Sequence, residues 1–228
     1  MPGAGRAAPR CRVVVLISGR GSNLQAIIRA MQRGEIAIDL AAVISNRPNA
    51  PGLEYARAAG IPAEVVDHKA FAERAAFEAA LSERIDAYRP DLIVLAGFMR
   101  VLSASFIERY AGRLINIHPS LLPAFPGLRT HERALAAGAR MHGATVHFVT
   151  AEVDSGPIIA QAAVPVLPDD TPDSLAARVL EQEHRLYPRV IGWFAEGRLR
   201  LVDGQVMLDG RANHPAQGLV TGAGGRKT

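Results

Sequence analysis

The chain is most constrained by a repeated alternation of short, continuously apolar runs with longer amphipathic segments. Runs at 12–17, 40–45, 64–66, 91–96 and 114–117 lack the apolar–polar alternation of a half-exposed strand. They match parallel strands covered on both faces. Segments 23–33, 52–59 and 71–88 read as the intervening helices, with Gly34 and Gly60 as stops and Pro90 closing the longest. Strand–helix–strand repetition of this kind predicts an α/β fold: an open, twisted, mostly parallel sheet with helices on both faces.

The second half has a different pattern. Segments 145–150 and 158–166 are strand-like and flank a turn at Asp154-Ser155-Gly156-Pro157, which predicts antiparallel strands at the C-terminal edge of the sheet. Residues 174–196 read as a long helix, with Thr171 or Asp173 near its start and Gly197 at its end. Segments 199–202 and 205–208 form a hairpin around Asp203-Gly204. There are no internal repeats, so one domain over 12–210 is expected. Residues 1–11 and 211–228, rich in Gly, Ala, Pro and Arg, are expected to be disordered extensions.

A pI of 9.7 suggests nucleic acid until the charge is located. Residues 1–12 hold three arginines, residues 211–228 hold Arg211, Arg226 and Lys227, and neither segment has an acid. Setting those six aside leaves 20 of the 26 basic residues against all 22 acids, so the core is slightly acidic and predicts no nucleic-acid partner. No apolar run approaches the roughly 18 residues of a membrane span, and the N-terminus has no secretory pattern. The single cysteine, Cys11, excludes an internal disulfide and fits a reducing, cytoplasmic setting.

Three places carry chemistry. The loop Ser18-Gly19-Arg20-Gly21-Ser22-Asn23 runs from the first strand straight into a helix, where free backbone N–H groups and the helix dipole favour an anion. It has neither the lysine of a phosphate-binding Walker loop nor the third glycine of a dinucleotide fingerprint, so a monophosphate or carboxylate suits it better. It serves equally as a tight turn capped by Ser22 or Asn23. Asn116 and His118 lie two apart on a strand that breaks at Pro119, so both can reach one point beyond its carboxyl end. An amide donor beside an imidazole suits acyl transfer, although each also has a structural use. Asp154 sits in a tight turn, where aspartate commonly bonds its own backbone, and it becomes a proton acceptor if the fold brings it to His118. His131, His142 and His147 match no metal-ligand spacing, so no metal is expected.

These motifs resemble a known family. S-G-R-G-S-N-L-Q-A-I-I at 18–28, L-A-G-F-M-R at 95–100, N-I-H-P-S-L-L-P at 116–123, and V-H-F-V-T with D-S-G-P at 146–157 are similar to the glycinamide branch of the folate-dependent formyltransferases, across about residues 12–210. The resemblance implies a Rossmann-like formyltransferase fold and 10-formyltetrahydrofolate as co-substrate. It implies glycinamide ribonucleotide as formyl acceptor, with small molecules as the only partners and a homodimer left open. It further implies that Asn116, His118 and Asp154 are the catalytic trio. Gly21, Ser22, Asn23, Pro119 and Glu183 would bind the nucleotide. Met99, Arg100, Val101 and Leu102 would flank the pteridine, and Arg74 the glutamate tail. Leu180 stands where some relatives have a polar ribose contact. Other branches remain alternatives: the tRNA formyltransferases, which carry a further nucleic-acid-binding domain, the formyltetrahydrofolate hydrolases, and an inactive nucleotide- or folate-binding module.

Overall fold

The buried apolar runs assemble into one sheet. The structure, a computed structural model, describes residues 10–213 and 219–221. The strands are β1 (Cys11–Ile17), β2 (Ile38–Ser45), β3 (Ala63–Val65), β4 (Leu92–Leu95), β5 (Leu114–His118), β6 (Met141–Phe148), β7 (Ile158–Pro165) and β11 (Leu219–Thr221). Their order is β11-β7-β6-β5-β4-β1-β2-β3. Pairing is parallel from β3 through β5, and β6 runs antiparallel between β5 and β7. The sheet is therefore mostly parallel, as expected, with its antiparallel strands on the C-terminal side.

Side-chain alternation along β1 explains why its sequence does not alternate in polarity. Val13, Val15 and Ile17 join a core formed with α1 (Ser22–Gln32), α2 (Gly52–Ala58), α5 (Thr130–Ala136) and α6 (Pro172–Ala195). Val14 and Leu16 face the other way, into a core with α3 (Arg74–Ala87) and α4 (Ala104–Arg109). All five side chains are fully buried, so both faces must be apolar. Each such burial stabilises the fold by roughly 1.5–3 kcal/mol. Helix α6 starts at a reciprocal capping box between Thr171 and Ser174. Fully buried Tyr187 on this helix donates to the carbonyls of Leu95 (2.9 Å) and Ile115 (3.2 Å), fastening it to β4 and β5.

Several boundaries differ from expectation. The first strand begins at Cys11 rather than Arg12, because Cys11 pairs with Ile38. Its half-buried thiol is pushed up to about 11 by burial and by Asp91, consistent with an unreactive cysteine. The segment beyond 210 is not wholly a disordered tail. The hairpin of β8 (Leu199–Val202) and β9 (Gln205–Leu208) gains a third strand, β10 (Arg211–Ala212), and β11 pairs with β7. Unpaired edge backbone can recruit a short segment by hydrogen bonding alone, which hydrophobic patterning does not reveal. The remaining residues of both expected extensions lie outside the described residues. The helix expected from residue 71 starts at Arg74, after a 3-10 turn at His68–Ala70 and an extended Phe71. Helices α4 and α5, six and seven residues long, are too brief for periodicity to mark. Among the described residues, no helix is long and apolar enough to cross a membrane.

Candidate active site

Strand β1 lies between β2 and β4, so the connections leaving β1 and β4 diverge and open a crevice at their carboxyl ends. Ser18, just past β1, ties the loops around that crevice together. Its N–H donates to the Gly97 carbonyl (3.2 Å), its hydroxyl bonds the Asn46 side chain, and the Met99 N–H donates to that hydroxyl (2.7 Å). Gly21 precedes α1 at φ 73°, and a Cβ there would stand 2.7 Å from the Gly52 Cα. Only glycine permits both this left-handed turn and this approach. Of the two readings open for this loop, capping by Ser22 or Asn23 is not the one found: both lie inside the helix, and no side chain among the described residues caps its N-terminus. The first-turn N–H groups thus have no side-chain acceptor among the described residues.

A cleft of about 600 Å³ opens beside this loop. It brings together Asn23, Met99, Arg100, Val101, Leu102, Asn116, His118, Pro119, Asp154 and Glu183. Gly21 and Ser22 adjoin Asn23 but are not part of the lining. Arg74 does not join the lining either. It opens α3, with its guanidinium 3.9 Å from Glu78. A second concavity, of about 530 Å³, lies around Arg12, Asp39 and Ile61 at the opposite end of the sheet, where none of these residues falls.

The charged centre joins β5 to the turn after β6. Asp154 takes φ 53° in that turn. Gly156 allows the turn to fold onto β6, for a Cβ there would meet the Phe148 carbonyl oxygen at 1.8 Å. The Asp154 carboxylate points away from its own turn. Its Oδ2 accepts from the Gly127 N–H (2.8 Å) and lies 3.3 Å from His118 Nδ1. His118 Nε2 faces the Phe125 carbonyl oxygen at 3.0 Å. Both imidazole nitrogens thus face acceptors, and an imidazolium satisfies both. Asn116 stands directly opposite His147 in the β5–β6 register, with its Nδ2 3.2 Å from His147 Nε2.

The side of the cleft next to α1 is held by a long-range contact. Asn23 Nδ2 donates to Glu183 Oε2 at 2.6 Å, joining α1 to α6. Burial raises the Glu183 carboxyl above the ordinary range, and the Asn23 bond partly opposes that shift. Behind His118, His142 Nε2 lies 3.2 Å from His131 Nδ1. Burial, reinforced by His131 and His118, lowers His142 to about 4. Among the described residues, no group of three or more His, Cys, Asp or Glu is placed to hold a metal ion. In the sequence, His147 stands out only as a candidate metal ligand. The register of β6 against β5 is what gives it a place beside Asn116.

Residues 11–191 match the formyl transferase family. Phosphoribosylglycinamide formyltransferase of Escherichia coli K12 is 54% identical over 203 residues, covering 89% of this chain and 96% of the relative. The phosphoribosylglycinamide formyltransferase structure from Coxiella burnetii superposes with a TM-score of 0.87 at 54% identity, covering 90% of this chain and 96% of that one. A formyltetrahydrofolate deformylase from Pseudomonas syringae shares the fold at a TM-score of 0.81 but only 30% identity, covering 88% of this chain and 66% of that one. The chain belongs to the formyl transferase family, in its phosphoribosylglycinamide formyltransferase branch.

Proposed function

We propose that the cleft transfers the formyl group of 10-formyltetrahydrofolate to the amine of glycinamide ribonucleotide, a step of purine biosynthesis, with Asn116, His118 and Asp154 as its catalytic groups. The observation that carries this reading is the convergence of an amide, an imidazole and a carboxylate on one cleft, with His118 and Asp154 3.3 Å apart. The substrate amine attacks the formyl carbon directly, so no enzyme nucleophile is required. The tetrahedral oxyanion is stabilised by the Asn116 amide and protonated His118. Asp154 supports the imidazolium charge and helps relay the amine proton towards the departing folate nitrogen. Holding both substrates in one cleft supplies much of the acceleration, up to ~7–11 kcal/mol in favourable cases.

The nucleotide's phosphate meets the free N–H groups at Gly21–Asn23, where the α1 dipole favours an anion. Glu183 and Pro119 face the rest of the nucleotide. The segment 99–102, with Met99 and Val101 exposed, offers the folate ring an apolar wall. Arg100 belongs to that wall, and Arg74, outside the cleft lining at the start of α3, supplies positive charge for the glutamate tail. On this reading residues 12–210 work as one domain on free small molecules in the cytoplasm, and association into a homodimer is compatible with it.

The test is a formyl-transfer assay on the purified chain with 10-formyltetrahydrofolate and three acceptors: glycinamide ribonucleotide, charged initiator tRNA, and water alone. Rapid formylation of glycinamide ribonucleotide alone is expected. Faster tRNA formylation or acceptor-independent hydrolysis would replace this reading.

A further inference from the structure

We propose that His147 is the positioning residue for the Asn116 amide: its Nε2 lone pair takes one amide N–H, leaving the other aimed at the developing oxyanion. The inference rests on the reading of Asn116 as oxyanion donor and adds the group that orients it.

The geometry determines which atom does what. His147 Nδ1 lies 3.0 Å from the Phe148 carbonyl oxygen, an acceptor only, so Nδ1 must carry the proton. In a neutral ring Nε2 is then a bare acceptor, and the side chain 3.2 Å away must present a donor to it. That requirement assigns the Asn116 Nδ2 to the His147 side and forbids the flipped amide, whose oxygen would face a lone pair. Burial holds the ring neutral. His147 is 2% exposed, and desolvation lowers its pKa, with the charge of His118 acting in the same direction. Its hydrogen bond to Phe148 and the charge of Asp154 oppose that shift.

The same contacts explain why neutrality matters. Asp154 Oδ1 lies 3.8 Å from His147 Nε2, while Oδ2 serves His118 and Gly127. A protonated His147 would turn its Nε2–H towards Asp154, drawing on the charge that supports His118. It would also confront the Asn116 amide with a second donor. An Nδ1–H tautomer, set by the backbone of β6, keeps the amide oriented and the carboxylate committed to His118. A purely packing role for His147 would require neither its tautomer nor its facing atom.

The experiment compares His147→Leu, His147→Gln, Asn116→Ala and the double variant His147→Leu/Asn116→Ala in the formyl-transfer assay. The ring nitrogens of His147 in the unmodified protein are followed by ¹⁵N NMR. Glutamine can place an acceptor oxygen near the Nε2 position, and leucine cannot. His147→Leu should lower kcat about 10- to 100-fold, less than outright loss of an oxyanion donor, with KM for both substrates unchanged. His147→Gln should recover most of that loss. The double variant should be no slower than Asn116→Ala alone, because the two losses are one interaction. Normal turnover in folded His147→Leu, multiplying losses in the double variant, or an Nε2–H ring would overturn the inference. Should the leucine variant not fold, the glutamine variant and the ring spectrum decide it. Normal turnover in Asn116→Ala would instead sink the reading of the site, which keeps the two failures apart.

Discussion

His118 Nδ1 and Asp154 Oδ2 lie 3.3 Å apart although they are 36 positions apart in the chain, with α5 and β6 between them. Both side chains are nearly buried, at 6% and 12% exposure, so each depends on its partner to offset lost hydration.

Asp154→Asn tests that pair most cleanly. Asparagine keeps an oxygen able to accept from Gly127 and tolerates the left-handed backbone, but lacks the charge that supports an imidazolium. Turnover should fall strongly while affinity for glycinamide ribonucleotide and the thermal midpoint change little. Unchanged turnover would reduce Asp154 to a turn former, and loss of folding would point the same way.

His118→Ala and Asn116→Ala should each lower kcat by about a hundred- to a thousandfold, the usual cost of one oxyanion-stabilising group. Circular dichroism should show an intact fold, since the sheet beneath them is held by Ile115 and Ile117. Near-normal turnover in either variant would remove that residue from the mechanism.

Gly21→Ala should impair both folding and nucleotide binding. The new methyl group would collide with Gly52 at 2.7 Å, and φ 73° is itself strained for alanine. Left-handed strain alone costs roughly 1–2 kcal/mol. Urea unfolding together with nucleotide titration checks this, and a variant matching the unmodified protein in both would mean that the loop relaxes freely.

His142 makes stability depend on pH. Its folded-state value, about 4, is depressed below the ordinary 6.5, so the unfolded chain binds the proton more readily. Stability is therefore fully present above about pH 6.5 and declines as pH falls towards 4. Between pH 7.5 and 5 the unmodified protein should lose about 2 kcal/mol more than His142→Gln. Equal losses in urea titrations at the two pH values would show that the ring is not held neutral.

Local order was legible in the residues themselves. Continuous apolar runs marked the parallel strands, because a strand buried on both faces must be apolar at every position. The spacing of Asn116 and His118 placed both at one strand end, because side chains alternate with a period of two. Glycines and the serine–asparagine pair after β1 marked a loop that opens a helix. Tertiary structure decided the rest, because contacts between distant segments depend on strand register and helix packing, which leave no local period. It brought Asn23 to Glu183 across 160 residues, turned Asp154 from its own turn towards His118, and set His147 opposite Asn116. It also left Arg74 outside the cleft lining and added strands beyond residue 210 by backbone pairing with β9 and β7, which leaves no local period.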